Sequence, residues 1–135
     1  MRSLIQSEAR RAFFSAVVAF IIWGSWALIA HWDYAIWVKV KAGVTQGMSS
    51  FTFTYIGTIM LERLFRVGKT PLTQVLISGL GTFGIVLSSV LVIHTLAGTP
   101  EMLLTIAPSM TVSFFYCLSY AAALRKLDNM QLQTS

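Results

Sequence analysis

Apolar and polar positions alternate along this chain on the scale of whole membrane spans, not of strands or short amphipathic helices. Cutting at every charged residue leaves four uncharged windows: Ala12–Trp32 (21 residues), Ala42–Leu61 (20), Thr70–Pro100 (31) and Met102–Leu124 (23). About 20 helical residues rise roughly 30 Å, the thickness of a bilayer's hydrocarbon core, so each window can hold one span. The pattern predicts four transmembrane helices over 12–31, 42–65, 71–94 and 100–127, with residues 1–135 forming a single all-α membrane domain. Thr70-Pro71 and Thr99-Pro100-Glu101 each read as a helix start, with threonine as N-cap and proline at the first helical position. Gly68 reads as the residue that ends the second helix, and the polar stretch from Asp128 onward reads as a frayed tail.

The second window is too polar for a span that meets lipid all round. It holds Thr45, Gln46, Ser49, Ser50, Thr52, Thr54 and Thr58, and four of these, Gln46, Ser50, Thr54 and Thr58, recur at every fourth position. On a helix they form one slowly drifting stripe. Polar groups facing hydrocarbon are costly, so the stripe is expected to face protein, water or a ligand.

A shift of 63 residues aligns 16–64 with 79–127 without a gap, and nine of the 49 pairs are identical, among them His31/His94, Ser50/Ser113 and Phe51/Phe114. The helix ends, the histidine at one end and the basic residues at the other coincide together. This predicts a duplicated helical hairpin whose halves repeat in parallel about an axis along the membrane normal. The stripe of the second helix then maps onto Ser109, Ser113, Cys117 and Ala121 of the fourth.

Composition supports the membrane reading. Only 11% of the residues are charged and 56% are hydrophobic, against a usual charged share of about 25%. Eight of the ten basic residues lie at one set of helix ends: Arg2, Arg10 and Arg11, then Arg63, Arg66 and Lys69, then Arg125 and Lys126. Lys39 and Lys41 lie at the other. The positive-inside rule therefore predicts a multi-pass protein of the cell's inner membrane with both termini cytoplasmic. The net charge of +5 reads as attraction to anionic lipid headgroups. Basic residues scattered at helix ends without interleaved aromatics argue against nucleic acid as a partner.

Little in the sequence suggests bond-making chemistry. No Asp, Glu, Lys or Arg lies in the middle of a window, so the membrane carboxylate of proton-coupled exporters is not expected. The single cysteine, Cys117, lies in mid-span with no base near it in sequence, and the chain is read as no enzyme, with no metal site and no resident cofactor. His31 and His94, the two histidines, occupy equivalent repeat positions and are candidates for an outer-face proton or ligand site, haem included. The run Gly79-Leu-Gly-Thr-Phe-Gly84 has the form of a dinucleotide fingerprint. It lies inside an apolar span with no strand before it, so Gly79, Gly84 and Ser88 read instead as small residues for close helix packing.

The function expected from these features is passage: an oligomeric channel, transporter or lipid-type translocator lined by helices 2 and 4. Gln46, Ser50, Thr54, Thr58, Ser109 and Ser113 are its candidate lining. Four short helices shield little polar surface from lipid, so a second copy or a membrane-protein partner is expected. The alternatives are a non-transporting assembly subunit, whose stripe docks a partner helix, and a haem protein using His31 and His94.

Overall fold

The computed structural model describes residues 2–96 and 102–134, without the side chains of residues 2–5, His94, Met102, Leu104 and Thr105. The helix start read at Thr99-Pro100-Glu101 and the His94 imidazole thus lie outside the described residues. The described residues form four helices: α1 (Arg2–Ala30), α2 (Ile36–Phe65), α3 (Pro71–Leu96) and α4 (Met102–Thr134). Three stretches, Gln6–Ala30, Pro71–Ile93 and Ile106–Thr134, are long and apolar enough to cross a membrane. The protein is all-helical and, on these spans, a multi-pass membrane protein. Hydrocarbon offers no water to backbone N–H and C=O groups, and a helix satisfies them within one segment. At 30 residues α2 has the length to span but is not among the apolar three.

Three boundaries differ from the sequence reading. α1 begins at Arg2, not at 12, so Arg10 and Arg11 lie inside the helix, since charge at its start does not prevent helix formation. α2 begins at Ile36, not at 42: the Ala35 carbonyl accepts from Val38 N (2.9 Å) and Lys39 N (3.1 Å), so the aromatic, lysine-bearing segment 36–41 is already helical. Charge does not stop a helix, and only 31–35 forms the connection. α4 runs on to Thr134, where a frayed tail was expected. Arg125 and Asp128 pair at i,i+3 across the supposed fraying point (3.1 Å), and Thr134 Oγ1 donates to Met130 O (3.2 Å).

The chain divides into two compact units, Met1–Ile59 and Met60–Ser135. In the first, α1 and α2 form an antiparallel hairpin that crosses closely because glycines remove side chains at the contact. A Cβ on Gly24 would lie 3.1 Å from Gly43 O, one on Gly43 2.8 Å from Leu28 Cγ, and one on Gly47 2.9 Å from the Phe20 ring. Phe13 meets Phe51 edge to face at 5.8 Å further along the hairpin.

In the second unit the end of α2 joins α3 and α4. Leu61, Cys117 and Ala121 form its core, with Val75, Phe83, Tyr116, Tyr120 and Leu124 against them. Phe83 and Phe114 meet edge to face at 5.3 Å, and a Cβ on Gly79 would lie 3.0 Å from Leu118 Cδ2. α3 starts on a reciprocal cap. Thr73 N donates to Thr70 Oγ1 (3.2 Å), Thr70 N donates to Thr73 Oγ1 (2.9 Å), and Gln74 N donates to Thr70 O (2.9 Å).

The two hairpins close at different places relative to the 63-residue shift. Phe20 lies on Gly47, whereas its counterpart Phe83 lies on Phe114, which corresponds to Phe51. That is a difference of one helical turn.

Candidate functional site

The polar side chains of α2 form two rows, not one. Taking 100° per residue, Lys41, Thr45, Ser49 and Thr52 share a row on the face away from Gly43 and Gly47, and all four are exposed. The stripe read from sequence lies nearer the glycine face and sinks along its length. Gln46 is exposed, Ser50 and Thr54 are half-buried, and Thr58 is fully buried. Under the repeat alignment the α4 stripe follows the same gradient, with Ser109 and Ser113 half-buried and Cys117 and Ala121 in the core. The lower end of that α4 stripe is therefore packing surface of the second unit. Lys41 lies inside α2 and begins this outer row, whereas a helix start at 42 leaves the row without its first member.

Hydrogen bonding separates α2 from α3. A hydroxyl in a span can satisfy itself by donating to the carbonyl one turn back. In α3, Ser78, Ser88, Ser89 and Thr95 all do so at 2.6–2.8 Å. In α4, Ser109 donates to Ile106 O (3.0 Å) and Thr111 to Ala107 O (2.8 Å). In α2, Thr52 donates to Met48 O at 2.9 Å. Among the described residues the side chains of Thr45, Gln46, Ser49, Ser50 and Thr54 make no hydrogen bond, nor does that of Ser113 of α4. Between 45 and 54, α2 thus presents five polar side chains that its own backbone does not occupy, Thr52 being the exception.

The structure places Glu62 in the protein interior. Its side chain is 3% exposed, and Tyr120 donates a 2.6 Å hydrogen bond to its Oε1 across 58 residues of sequence. The tyrosine has no signal in the sequence, since no local period links α2 to α4. Nearby, Arg125 donates to Gln74 Oε1 and Asp128 Oδ2, both at 3.1 Å, closing the same end of the second unit. On α3, Gln74, Ser78 and Thr82 follow one another at i+4, and Thr82 is 1% exposed with no partner for its Oγ1 among the described residues. A buried hydroxyl left unbonded costs about 1–3 kcal/mol. Thr82→Val is therefore expected to raise the unfolding temperature of the purified protein, and a drop would show that the hydroxyl is bonded in the membrane.

His31 is held at the end of α1: its Nδ1 donates to Ala27 O (2.8 Å), and its ring lies 5.5 Å from that of Tyr34. It acts there as a cap on the last carbonyls. Of the packing residues read from the glycine run, Gly79 sits against Leu118, while a Cβ on Gly84 would meet nothing within 4 Å and Ser88 donates to Gly84 O (2.7 Å). The closer helix approach in the first unit uses Gly43 and Gly47, a small-xxx-small pair the sequence reading passed over. No family model, curated protein or solved structure matches the chain.

Proposed function

We propose that the protein is an oligomeric membrane translocator, a channel, small transporter or lipid-type carrier, whose route is lined chiefly by α2. One observation carries this: from Thr45 to Thr54, α2 bears five polar side chains with no hydrogen bond among the described residues. Its partner in the hairpin, α1, is apolar enough to span, and helices packed side by side share the same depth of bilayer. In this reading α2 is the fourth span, and its polar row is covered by water, cargo or a second copy. Of the stripe on α2, Gln46 and Ser50 contribute to the lining. Thr58 lies too deep in the protein to do so. The distribution of arginine and lysine supports a cytoplasmic location for the ends bearing Arg10, Arg11, Arg63, Arg66, Arg125 and Lys126 in an inner membrane with anionic lipid. The shared 63-residue period supports descent of both halves from one hairpin. No enzymatic step and no cofactor enter this function.

Cysteines introduced at Thr45, Gln46 and Ser49 should react with water-soluble thiol reagents several-fold faster than cysteines at Phe14 or Val92, which are exposed apolar positions on α1 and α3. Residues 50 and 54 should be intermediate and 58 protected. Equal protection at 45, 46 and 49 and at the apolar controls would sink the proposal.

The same unbonded amide favours one second reading, an assembly subunit whose α2 docks a partner helix. Gln46→Leu would then strip a stoichiometric partner during purification. The haem reading rests on His31 and His94 alone, and a visible absorption spectrum of the purified protein tests it.

A further inference from the structure

The outer row of α2 carries a sign as well as polarity. Lys41 opens it at the end nearest the 31–35 connection, and Thr45, Ser49 and Thr52 follow on the same face, all exposed. From Lys41 to Ser49 the row advances about 12 Å along the helix axis. Trp32, Tyr34 and Trp37 are exposed beside its start, as aromatic side chains at a membrane interface are. Lys41 therefore stands at the mouth of the row, and Ser49 lies deeper.

The two lysines of this end are in different situations. Lys39 is engaged, donating to Trp32 O (3.0 Å) with its Nζ 4.7 Å from the centre of the Trp32 ring. It is two residues from Lys41, hence about 200° round the helix and off the outer row. The Lys41 side chain makes no ion pair or hydrogen bond among the described residues, and neither does that of Asp33, the carboxylate of the connection. The one carboxylate of α2 is Glu62, which is buried and bonded by Tyr120. Next along the row, the Thr45 and Ser49 hydroxyls make no hydrogen bond among the described residues, whereas Thr52 donates to Met48 O. The row thus offers an ammonium group and two open hydroxyls, and no carboxylate. Such a set of donors can replace water around an anion and repels a cation, and lysine or arginine side chains select anions in pores for this reason.

We infer that the outer row of α2 takes anions, with Lys41 drawing the charge in and the Thr45 and Ser49 hydroxyls donating to it further along. The inference rests on the translocation reading and adds to it the sign of the cargo. In an oligomer each copy would contribute one lysine to the mouth, which strengthens the field an anion meets. A free inorganic anion and the headgroup of an anionic lipid share this chemistry.

The full chain, reconstituted in lipid, distinguishes the two sources. In a planar bilayer under a potassium chloride gradient, the reversal potential should show chloride favoured over potassium by about tenfold if the cargo is a free anion. In vesicles, acyl-labelled phosphatidylglycerol should cross between leaflets about tenfold faster than acyl-labelled phosphatidylcholine if the cargo is a headgroup. Whichever preference appears, Lys41→Gln should bring it near parity, and Ser49→Glu, deeper in the row, should reverse it. Both positions are exposed, so neither change disturbs packing. Lys39→Gln, at the same end but off the row, should leave the preference unchanged. Passage without an anion preference, or a preference that Lys41→Gln does not move, would overturn the inference and leave the translocation reading standing. No passage of either ion or either lipid would overturn both.

Discussion

Gly68→Ala should cost the protein about 3 kcal/mol, the upper end of what overpacking a close contact costs. A Cβ at this position would lie 2.5 Å from both Gln74 Cα and Gln74 N. Those atoms belong to the first turn of α3, which is fixed by the Thr70–Thr73 cap, so no side-chain rotation relieves the clash. α2 ends just before it in tightened turns, with Arg66 N donating to Arg63 O (3.2 Å) and Val67 N to Leu64 O (3.0 Å), which leaves the connection no slack. The glycine does not serve as a left-handed helix terminator, because its backbone is not in that region. Gly84→Ala is the matched control. A methyl there enters open space, and removing a mid-helix glycine should stabilise by roughly 0.5–1 kcal/mol. Thermal unfolding of the two variants in detergent should therefore move in opposite directions. If both fall together, the close approach at Gly68 does not govern its side chain.

What the sequence could show here follows from the range of the interactions concerned. The helices were legible because runs of apolar residues and the Thr-Pro start at Thr70-Pro71 are local signals, and the cap formed as read. The start of α2 was not: Trp37, Lys39 and Lys41 mark an interface in composition, and an interface is compatible with either loop or helix. The stripe Gln46–Thr58 was legible as a periodicity, but a period gives a face and not its neighbour. Only coordinates show that Thr58 is buried while Gln46 is exposed. Likewise Gly43 and Gly47 are unremarkable until Leu28 and Phe20 are placed on them, and Glu62 reads as a helix-end charge until Tyr120 is brought to it.

That last contact should be the costliest polar one to break. Tyr120→Phe keeps the ring but removes the O–H that Glu62 Oε1 accepts at 2.6 Å. The carboxyl is 3% exposed, so water cannot freely replace the lost donor, and leaving such a group short of a partner costs about 1–3 kcal/mol. By contrast Asp128→Ala breaks a pair whose side chains are 24% and 41% exposed, and such surface pairs contribute about 0–1 kcal/mol. The Tyr120 bond is the shorter, 2.6 Å against 3.1 Å, and it is buried, which outweighs the two charges of the exposed pair. Removing both partners, Tyr120→Phe with Glu62→Leu, should cost less than the sum of the two single changes, because the shared bond is lost only once. A double-mutant cycle on unfolding reads this coupling directly. Within the translocation reading the cycle carries a second consequence. The bond ties the end of α2 to α4 in the second unit, so loosening it should change transport rate in parallel with stability if α2 must move for passage. Full transport by a destabilised Tyr120→Phe protein would instead make the pair a fixed anchor, and would place any moving part of the route in the 45–54 segment, where the unbonded polar groups lie.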